Sequence, residues 1–124
     1  MSRAGSWVAV CRVADIPRLG ARRVDRSAFE PGPEVAVFRA DDDTVFALVD
    51  RCPHKGGPLS QGIVFGRSVA CPLHNWTISL EDGLARAPDV GCAARFRVKL
   101  DGDLVLLDAD ELRTVGVAAA AAEA

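Results

Sequence analysis

The chain alternates between short apolar runs rich in β-branched residues and clusters of Asp, Gly and Pro. Runs of this length, separated by turn-forming residues, are typical of the strands of an all-β protein. The pattern predicts strands over residues 7–13, 21–24, 34–39, 44–50, 63–65, 68–70, 76–80, 95–100 and 104–107. No useful helical periodicity occurs before residue 108, so we expect an all-β sandwich or barrel.

Two features of this pattern bring the middle of the chain together. The run VFALV at 45–49 is apolar at every position and leads into Cys52, which indicates a strand covered on both faces. Residues 63–65 and 68–70 flank a Gly-Arg pair suited to a tight hairpin. We expect this hairpin to return Cys71 towards Cys52.

The last residues differ in kind from the rest. Residues 110–113 are able to start a short helix, and the alanine run 118–122 has high helix propensity. The segment has no amphipathic pattern that would dock it on the fold, so residues 109–124 are predicted to be a frayed or disordered tail. Residues 1–108 are then expected to form a single domain.

Composition and charge exclude several classes of partner. The 124 residues are 49% hydrophobic and 26% charged, with a net charge of −2, as in an ordinary globular domain. This charge gives no reason to expect nucleic acid or an anionic membrane as partner. The first apolar run is broken by Arg12 and is too short for a signal peptide, and no stretch is long enough for a membrane-spanning helix. A cytoplasmic protein is expected, in which the four cysteines are ligands or thiols rather than disulfides.

The residues able to perform chemistry are concentrated between positions 52 and 74. Both histidines and two of the four cysteines occur there, in the motifs C-P-H at 52–54 and C-P-L-H at 71–74. Thiolates and imidazoles are ligands for zinc and iron–sulfur centres. The segment therefore predicts a metal site whose ligands are Cys52, His54, Cys71 and His74.

Two kinds of metal centre are compatible with these ligands. Structural zinc sites usually pair like ligands, as C-x2–4-C and H-x3–5-H. Here each half holds one Cys and one His, and sixteen residues separate the halves. Mixed pairs suit a two-iron cluster in which two cysteines hold one iron and two histidines hold the other. The mixed order favours iron, and a zinc-stabilised structural or binding module is the alternative.

The ligand pattern, with a proline after the second cysteine, resembles that of Rieske 2Fe–2S proteins. More narrowly, the segments CPHKGGPLSQGIV, CPLHNW and APDVGC are similar to the small subunit of assimilatory NAD(P)H-dependent nitrite reductase. The resemblance covers residues 7–107 and implies three small antiparallel sheets, with a cluster-binding subdomain at one tip. Rieske ferredoxins of ring-hydroxylating oxygenase systems share this skeleton and are the alternative within the class.

The resemblance also implies roles around the cluster. The two cysteine ligands would bind the buried iron, and the two histidines would bind the outer iron, which changes valence. The glycines of the first loop allow N–H groups to approach the inorganic sulfides, and leucines and prolines supply an apolar cover. The neighbours assigned in this way are Gly56, Gly57, Leu59, Leu73, Trp76 and Pro88.

The two remaining cysteines are interpreted as thiols without a ligand role. Cys11 lies inside the first predicted strand, and Cys92 ends the segment APDVGC. Because cysteine behaves as a small hydrophobic residue, we expect both of these thiols to be buried.

Electron transfer is the function that the resemblance implies, and catalysis is expected on a partner. The chain has no nucleophile–base pair, no paired carboxylates of a cleft signature and no G-x-G-x-x-G motif, so we predict no catalytic residues and no nucleotide binding. The implied partner is a large subunit that carries flavin, another iron–sulfur cluster and sirohaem, and that reduces nitrite to ammonium with NAD(P)H. This chain would be the small redox subunit of that oxidoreductase.

The resemblance further predicts a low reduction potential. High-potential Rieske proteins join their two loops by a disulfide and donate a serine and a tyrosine hydroxyl to cluster sulfurs. Here Gly57, Leu73 and Trp76 occupy the corresponding positions, and the chain has no tyrosine. Fewer donors disfavour reduction, so we expect a midpoint towards the lower end of the range of about −150 to +300 mV. A redox titration with a midpoint above about +200 mV contradicts this argument.

Overall fold

A computed structural model describes residues 7–24, 34–51, 58–72, 76–86 and 91–114. Its strands are β1 (Trp7–Arg12), β2 (Gly20–Val24), β3 (Val35–Arg39), β4 (Val45–Val49), β5 (Ile63–Phe65), β6 (Ser68–Ala70), β7 (Thr77–Ser79), β8 (Arg95–Phe96), β9 (Val98–Asp101) and β10 (Leu104–Asp108). Short 3₁₀ helices cover Val13–Asp15 and Leu59–Gln61, and an α-helix, α1, covers Ala109–Thr114. Within these described ranges, no helix has the length and apolar content needed to cross a membrane.

The described strands form three antiparallel sheets, which confirms the predicted fold class. The outer sheet has the strand order β1-β10-β9, the central sheet β2-β3-β4-β8, and the small sheet β5-β6-β7. Most strands agree with the sequence pattern to within one residue at either end, and the hairpin of β5 and β6 has the predicted bounds.

Both faces of the central sheet are buried, as the apolar run at 45–49 predicts. Side chains alternate between the faces of a strand, and here the two sets enter different apolar clusters. One face joins the outer sheet and α1 through Val35, Val37, Val45, Ala47 and Val49. The other joins the small sheet through Ala36, Phe38 and Leu48. The central sheet therefore holds the other two sheets on opposite sides.

The prediction of one strand over residues 95–100 is wrong, because this segment belongs to two sheets. β8 pairs with β4 in the central sheet, and β9 pairs with β10 in the outer sheet. The change of sheet occurs at Arg97, whose N–H donates to Glu111 Oε1 at 2.8 Å. The Glu111 side chain of α1 thus accepts the backbone N–H at the point where the chain changes sheets. The alternation of apolar residues in the sequence does not reveal this contact.

The predicted tail at 109–124 is also wrong at its beginning. α1 starts directly after β10, and Leu112 is completely buried in the cluster between the outer and central sheets. Asp108 Oδ1 accepts the N–H groups of Asp110 at 2.7 Å and Glu111 at 3.3 Å, which caps the helix. One leucine therefore docks a helix too short to show an amphipathic period. Residues 115–124 lie outside the described ranges, and their disorder stays a prediction.

Replacing Leu112 by Ala tests whether α1 is part of the core. Because this side chain is fully buried, we expect the free energy of unfolding to fall by about 2–5 kcal/mol. Denaturant unfolding followed by circular dichroism gives the measurement. Leu100→Ala is the control, since Leu100 is 46% exposed, and should change stability by no more than about 0.5 kcal/mol. Equal effects of the two substitutions would contradict docking of the helix.

Candidate metal centre

Cys71 lies directly after β6, in the interior between the small and central sheets. It has no exposed surface and belongs to the same apolar cluster as Leu59. Its N–H donates to the C=O of Trp76 at 2.7 Å, which closes the base of the segment 71–76. The β5–β6 hairpin therefore places Cys71, one of the four predicted ligands, at a fully buried position directly after a paired strand.

The described residues on either side of the first predicted loop are fixed to the fold. β4 ends at Val49, and the 3₁₀ helix Leu59–Gln61 begins where the loop returns. Leu59 is fully buried and belongs to the same apolar cluster as Cys71. Asp50, after β4, accepts hydrogen bonds from Ser60. The described residues on both sides of positions 52–57 are therefore anchored to the folded core.

Gly62 allows the returning chain to approach the strand that leads to Cys71. A Cβ atom at this position would lie 2.2 Å from the carbonyl oxygen of Ala70, a distance that no side chain tolerates. Ile63, the next residue, pairs with Ala70 across β5 and β6. Glycine is therefore required for the first loop to join the small sheet so close to Cys71.

The described ranges contain only part of the predicted site. Of the four predicted ligands, Cys71 is described; of the predicted neighbours, Leu59 and Trp76 are described, and Trp76 is half-buried against the cluster that holds Cys71. The other predicted site residues lie outside the described ranges: Cys52, His54, Gly56, Gly57, Leu73, His74 and Pro88. Their roles stay predictions.

The two cysteines without a predicted ligand role differ in exposure. Cys11 is half-buried against the cluster of the outer and central sheets, and burial raises the pKa of its thiol. This environment suits a structural thiol. The prediction that Cys92 is buried is wrong, since Cys92 is exposed. Its backbone forms an isolated antiparallel β-bridge with Leu84, whose exposed fraction is 52%. Both residues therefore lie at an exposed edge of the fold.

A cluster of charged side chains links the small sheet to the central sheet. Arg67, in the turn between β5 and β6, lies 2.7 Å from Asp42 and 3.1 Å from Glu81. Its guanidinium group also lies 5.7 Å from the ring centre of Phe46. Asp42 belongs to the turn between β3 and β4, and Glu81 follows β7. We call this set of four residues the Arg67 clasp.

Sequence reasoning missed Asp50 and Ser60 as well as this clasp. Asp50 stands two residues before a predicted ligand, but an aspartate after a strand is an ordinary turn residue. Its burial and its bonds to a residue ten positions later depend on tertiary structure. Its position two residues before the C-x-H motif was the available signal in the sequence.

Comparison with known protein families distinguishes between the iron–sulfur and zinc centres that the ligand motifs allow. Residues 6–106 match the model of the Rieske [2Fe-2S] domain. The chain belongs to the Rieske [2Fe–2S] family. It is an electron-transfer domain of the kind found in oxidoreductase systems, and membership implies a Rieske-type 2Fe–2S cluster in place of the zinc alternative.

The chain is similar to proteins of two oxygenase systems. The ferredoxin subunit of 3-phenylpropionate/cinnamic acid dioxygenase from Shigella flexneri is 31% identical, over 82% of this chain and 92% of that protein. A 4β-methylsterol monooxygenase from Methylococcus capsulatus is 40% identical over 59% of this chain, which spans only 19% of that relative's length.

Solved structures with a similar fold include an oxygenase–ferredoxin complex and a candidate nitrite reductase subunit. A chain from the complex of reduced oxygenase and oxidised ferredoxin in carbazole 1,9a-dioxygenase superimposes with a TM-score of 0.73 and 26% identity, covering 84% of this chain and 94% of that one. A candidate small subunit of NADPH nitrite reductase gives a TM-score of 0.68 and 28% identity, covering 82% and 96%.

The described part of the Rieske site fits an iron–sulfur cluster. Cys71, a predicted ligand, has its thiol in apolar surroundings, and such surroundings protect cluster sulfurs from water and tune the potential. Leu59 belongs to the same apolar cluster, and its role as a cover of the metal centre stays a prediction. The close approach at Gly62 brings the chain after the first loop against Ala70, the residue before Cys71.

The Arg67 clasp should stabilise the junction of the two sheets in a salt-dependent way. The charged side chains of the clasp are exposed, so salt should screen their attraction. We therefore expect Arg67→Gln to lower the melting temperature at pH 7. The difference in melting temperature from wild type should shrink as the salt concentration rises to about 1 M. Arg12→Gln is the control for loss of an exposed ion pair that does not join two sheets, because Arg12 pairs with Asp103 at 2.9 Å within the outer sheet. An Arg67→Gln effect that is independent of salt would contradict the electrostatic account.

The clasp also has a defined pH dependence. Hydrogen bonds from the Thr44 hydroxyl, from Arg67 and from the Thr44 N–H lower the pKa of Asp42 from 3.8 to about 2. A carboxyl whose folded pKa is depressed stabilises the fold above its unfolded pKa, and this contribution is lost as the pH falls from 3.8 towards 2. The difference in melting temperature between wild type and Arg67→Gln should therefore decrease as the pH falls through this interval.

Proposed function

We propose that this chain is a Rieske ferredoxin, a small one-electron carrier that serves an oxygenase. The observation that supports this most is the 31% identity with a dioxygenase ferredoxin subunit, which extends over 92% of that protein. The match therefore spans a whole carrier protein and is not limited to the ligand motifs. The similarity to a chain of an oxygenase–ferredoxin complex agrees with it.

We propose that Cys52, His54, Cys71 and His74 hold the cluster. When bound, a Rieske cluster supplies one-electron redox chemistry at iron. The buried thiol of Cys71 supports its assignment to the inner iron, and the mixed Cys–His motifs support the remaining three ligands.

The neighbours of the cluster keep their proposed roles. Leu59 and Leu73 exclude water from it, Gly56 and Gly57 present N–H groups to the sulfides, and Pro88 covers one side. Trp76 stands where high-potential Rieske proteins have a serine, so the hydroxyl bond that this serine donates to a sulfur is lost. Of these residues, the fully buried Leu59 has the most direct support.

The second candidate function is the small subunit of assimilatory NAD(P)H-dependent nitrite reductase. It is supported by the segments CPLHNW and APDVGC and by the 28% identity with a candidate NADPH nitrite reductase small subunit. In that case the partner is the large flavin, iron–sulfur and sirohaem subunit, and catalysis takes place there. A cytoplasmic location belongs to either proposal and is supported by Cys11 and Cys92, which form no disulfide.

The carrier function predicts transfer without a permanent partner. After anaerobic purification the protein should be coloured and, once reduced, give a rhombic EPR signal. Mixing the reduced protein with the oxidised oxygenase component of a ring-hydroxylating dioxygenase should abolish this signal within seconds, as the electron passes to the oxygenase. In native extract the protein should elute at the size of the free chain.

Two cysteine variants serve as controls in this experiment. Cys71→Ser should lose the cluster signal, whereas Cys92→Ser should keep it, because Cys92 is exposed and outside the proposed ligand set. Stable co-elution with a large flavin and sirohaem protein, together with nitrite-dependent oxidation of NAD(P)H, would overturn the carrier proposal in favour of the second candidate. A colourless, iron-free protein loaded with zinc would contradict both.

A further inference from the structure

A buried carboxylate lies at the start of the loop that contains Cys52 and His54. Asp50 follows β4, and its side chain is only 2% exposed. A buried charge costs free energy unless hydrogen bonds and an opposite charge compensate it. The partners of this carboxylate therefore indicate what its burial achieves.

Both oxygens of Asp50 bind Ser60, which lies beyond the other end of the loop. The N–H of Ser60 donates to Oδ1 at 2.7 Å, and the hydroxyl of Ser60 donates to Oδ2 at 2.7 Å. Ser60 is part of the 3₁₀ helix Leu59–Gln61, and N–H groups in a first turn have no partner within the helix. One side chain thus ties the residue before the loop to the segment after it.

The same carboxylate is attached to the first strands of the central sheet. Arg23, on β2, places Nε 3.1 Å from Asp50 Oδ2 and 3.1 Å from Glu34 Oε1. The N–H of Asp50 donates to the C=O of Glu34 at 2.7 Å. Arg23 balances the buried negative charge, and both ends of the loop are fixed to a sheet that is itself buried on two faces.

We propose that Asp50 is a positioning residue for the metal centre: it fixes the two ends of the loop between β4 and Leu59, so that this loop is preorganised to hold the cluster. The inference rests on the proposed ligand set, in which Cys52 lies two residues from Asp50. A loop with tied ends loses less conformational freedom when its ligands are bound. The tie therefore slows loss of the cluster without contacting it.

Asp108 provides a matched control carboxylate in the same chain. Its side chain is 3% exposed and lies 2.9 Å from Arg97, and its Oδ1 accepts two backbone N–H groups. Asp108 thus resembles Asp50 in its burial, in its arginine partner and in accepting backbone N–H groups, although its second acceptor bond comes from an N–H and not from a hydroxyl. It lies between β10 and α1, however, and ties no residue of the predicted loops.

The test compares Asp50→Ala with Asp108→Ala in the protein purified with its cluster. The readouts are the rate of iron release to a chelator and the g-values and linewidths of the reduced EPR signal. Loss of charge-assisted hydrogen bonds shifts an equilibrium about tenfold or more, so we expect Asp50→Ala to release iron about tenfold faster than wild type, with a broadened signal. Asp108→Ala should lower the melting temperature and leave both cluster readouts near wild type.

Ser60→Ala is the second variant, in case Asp50→Ala does not fold. It keeps the pairing of Asp50 with Arg23 and the backbone bond, and removes only the hydroxyl bond, so iron release should be intermediate. The inference would be overturned if Asp50→Ala and Ser60→Ala both released iron at the wild-type rate and gave wild-type EPR spectra. It would also be overturned if Asp50→Ala and Asp108→Ala accelerated iron release equally. A wild-type protein that lacks the rhombic signal would contradict the proposed function instead, which keeps the two failures distinct.

Discussion

The apolar contact between the central and small sheets is the interaction on which the metal centre depends. It joins Leu48 and Phe38 of the central sheet to Val69 and Ile78 of the small sheet, all of them fully buried. Each such side chain contributes about 1.5–3 kcal/mol through burial. Cys71 and Leu59 lie within this same cluster, so the packing that holds the sheets together also sets the position of a proposed ligand and of the residue that follows the first loop.

Polar contacts add precision to this arrangement rather than most of its stability. The exposed ion pairs of Arg67 are screened by water and salt, and their contribution is to align two turns that the apolar contact has already brought together. Asp50 differs because its carboxylate is buried and fully bonded. A directional bond in dry surroundings can fix a loop end in a way that non-directional apolar packing cannot.

Much of the fold could be predicted from the sequence, because its information is local. Strand positions follow from apolar runs and turn residues, and the β5–β6 hairpin follows from its Gly-Arg turn. The C-x-H and C-x2-H motifs indicated the cluster for the same reason, since ligand order within a few residues distinguishes iron–sulfur from zinc sites. The family and its cofactor were therefore accessible before the structure.

The features that could not be predicted all depend on contacts between distant segments. The crossing at Arg97 requires Glu111 from α1, the burial of Leu112 requires a pocket between two sheets, and the exposure of Cys92 follows from its edge pairing with Leu84. The bonds of Asp50 to Ser60 belong to the same class. In each case the residue type is compatible with several environments, and only the tertiary structure selects one.

The pairing of β4 with β8 has a consequence for how such a protein can be built. The chain leaves the central sheet after β4 and returns to it at β8, the strand hydrogen-bonded beside it. Topologically, the whole cluster-binding half is an insertion between two neighbours of one sheet. Its entry and exit are therefore close together, a geometry that tolerates replacement of the inserted unit.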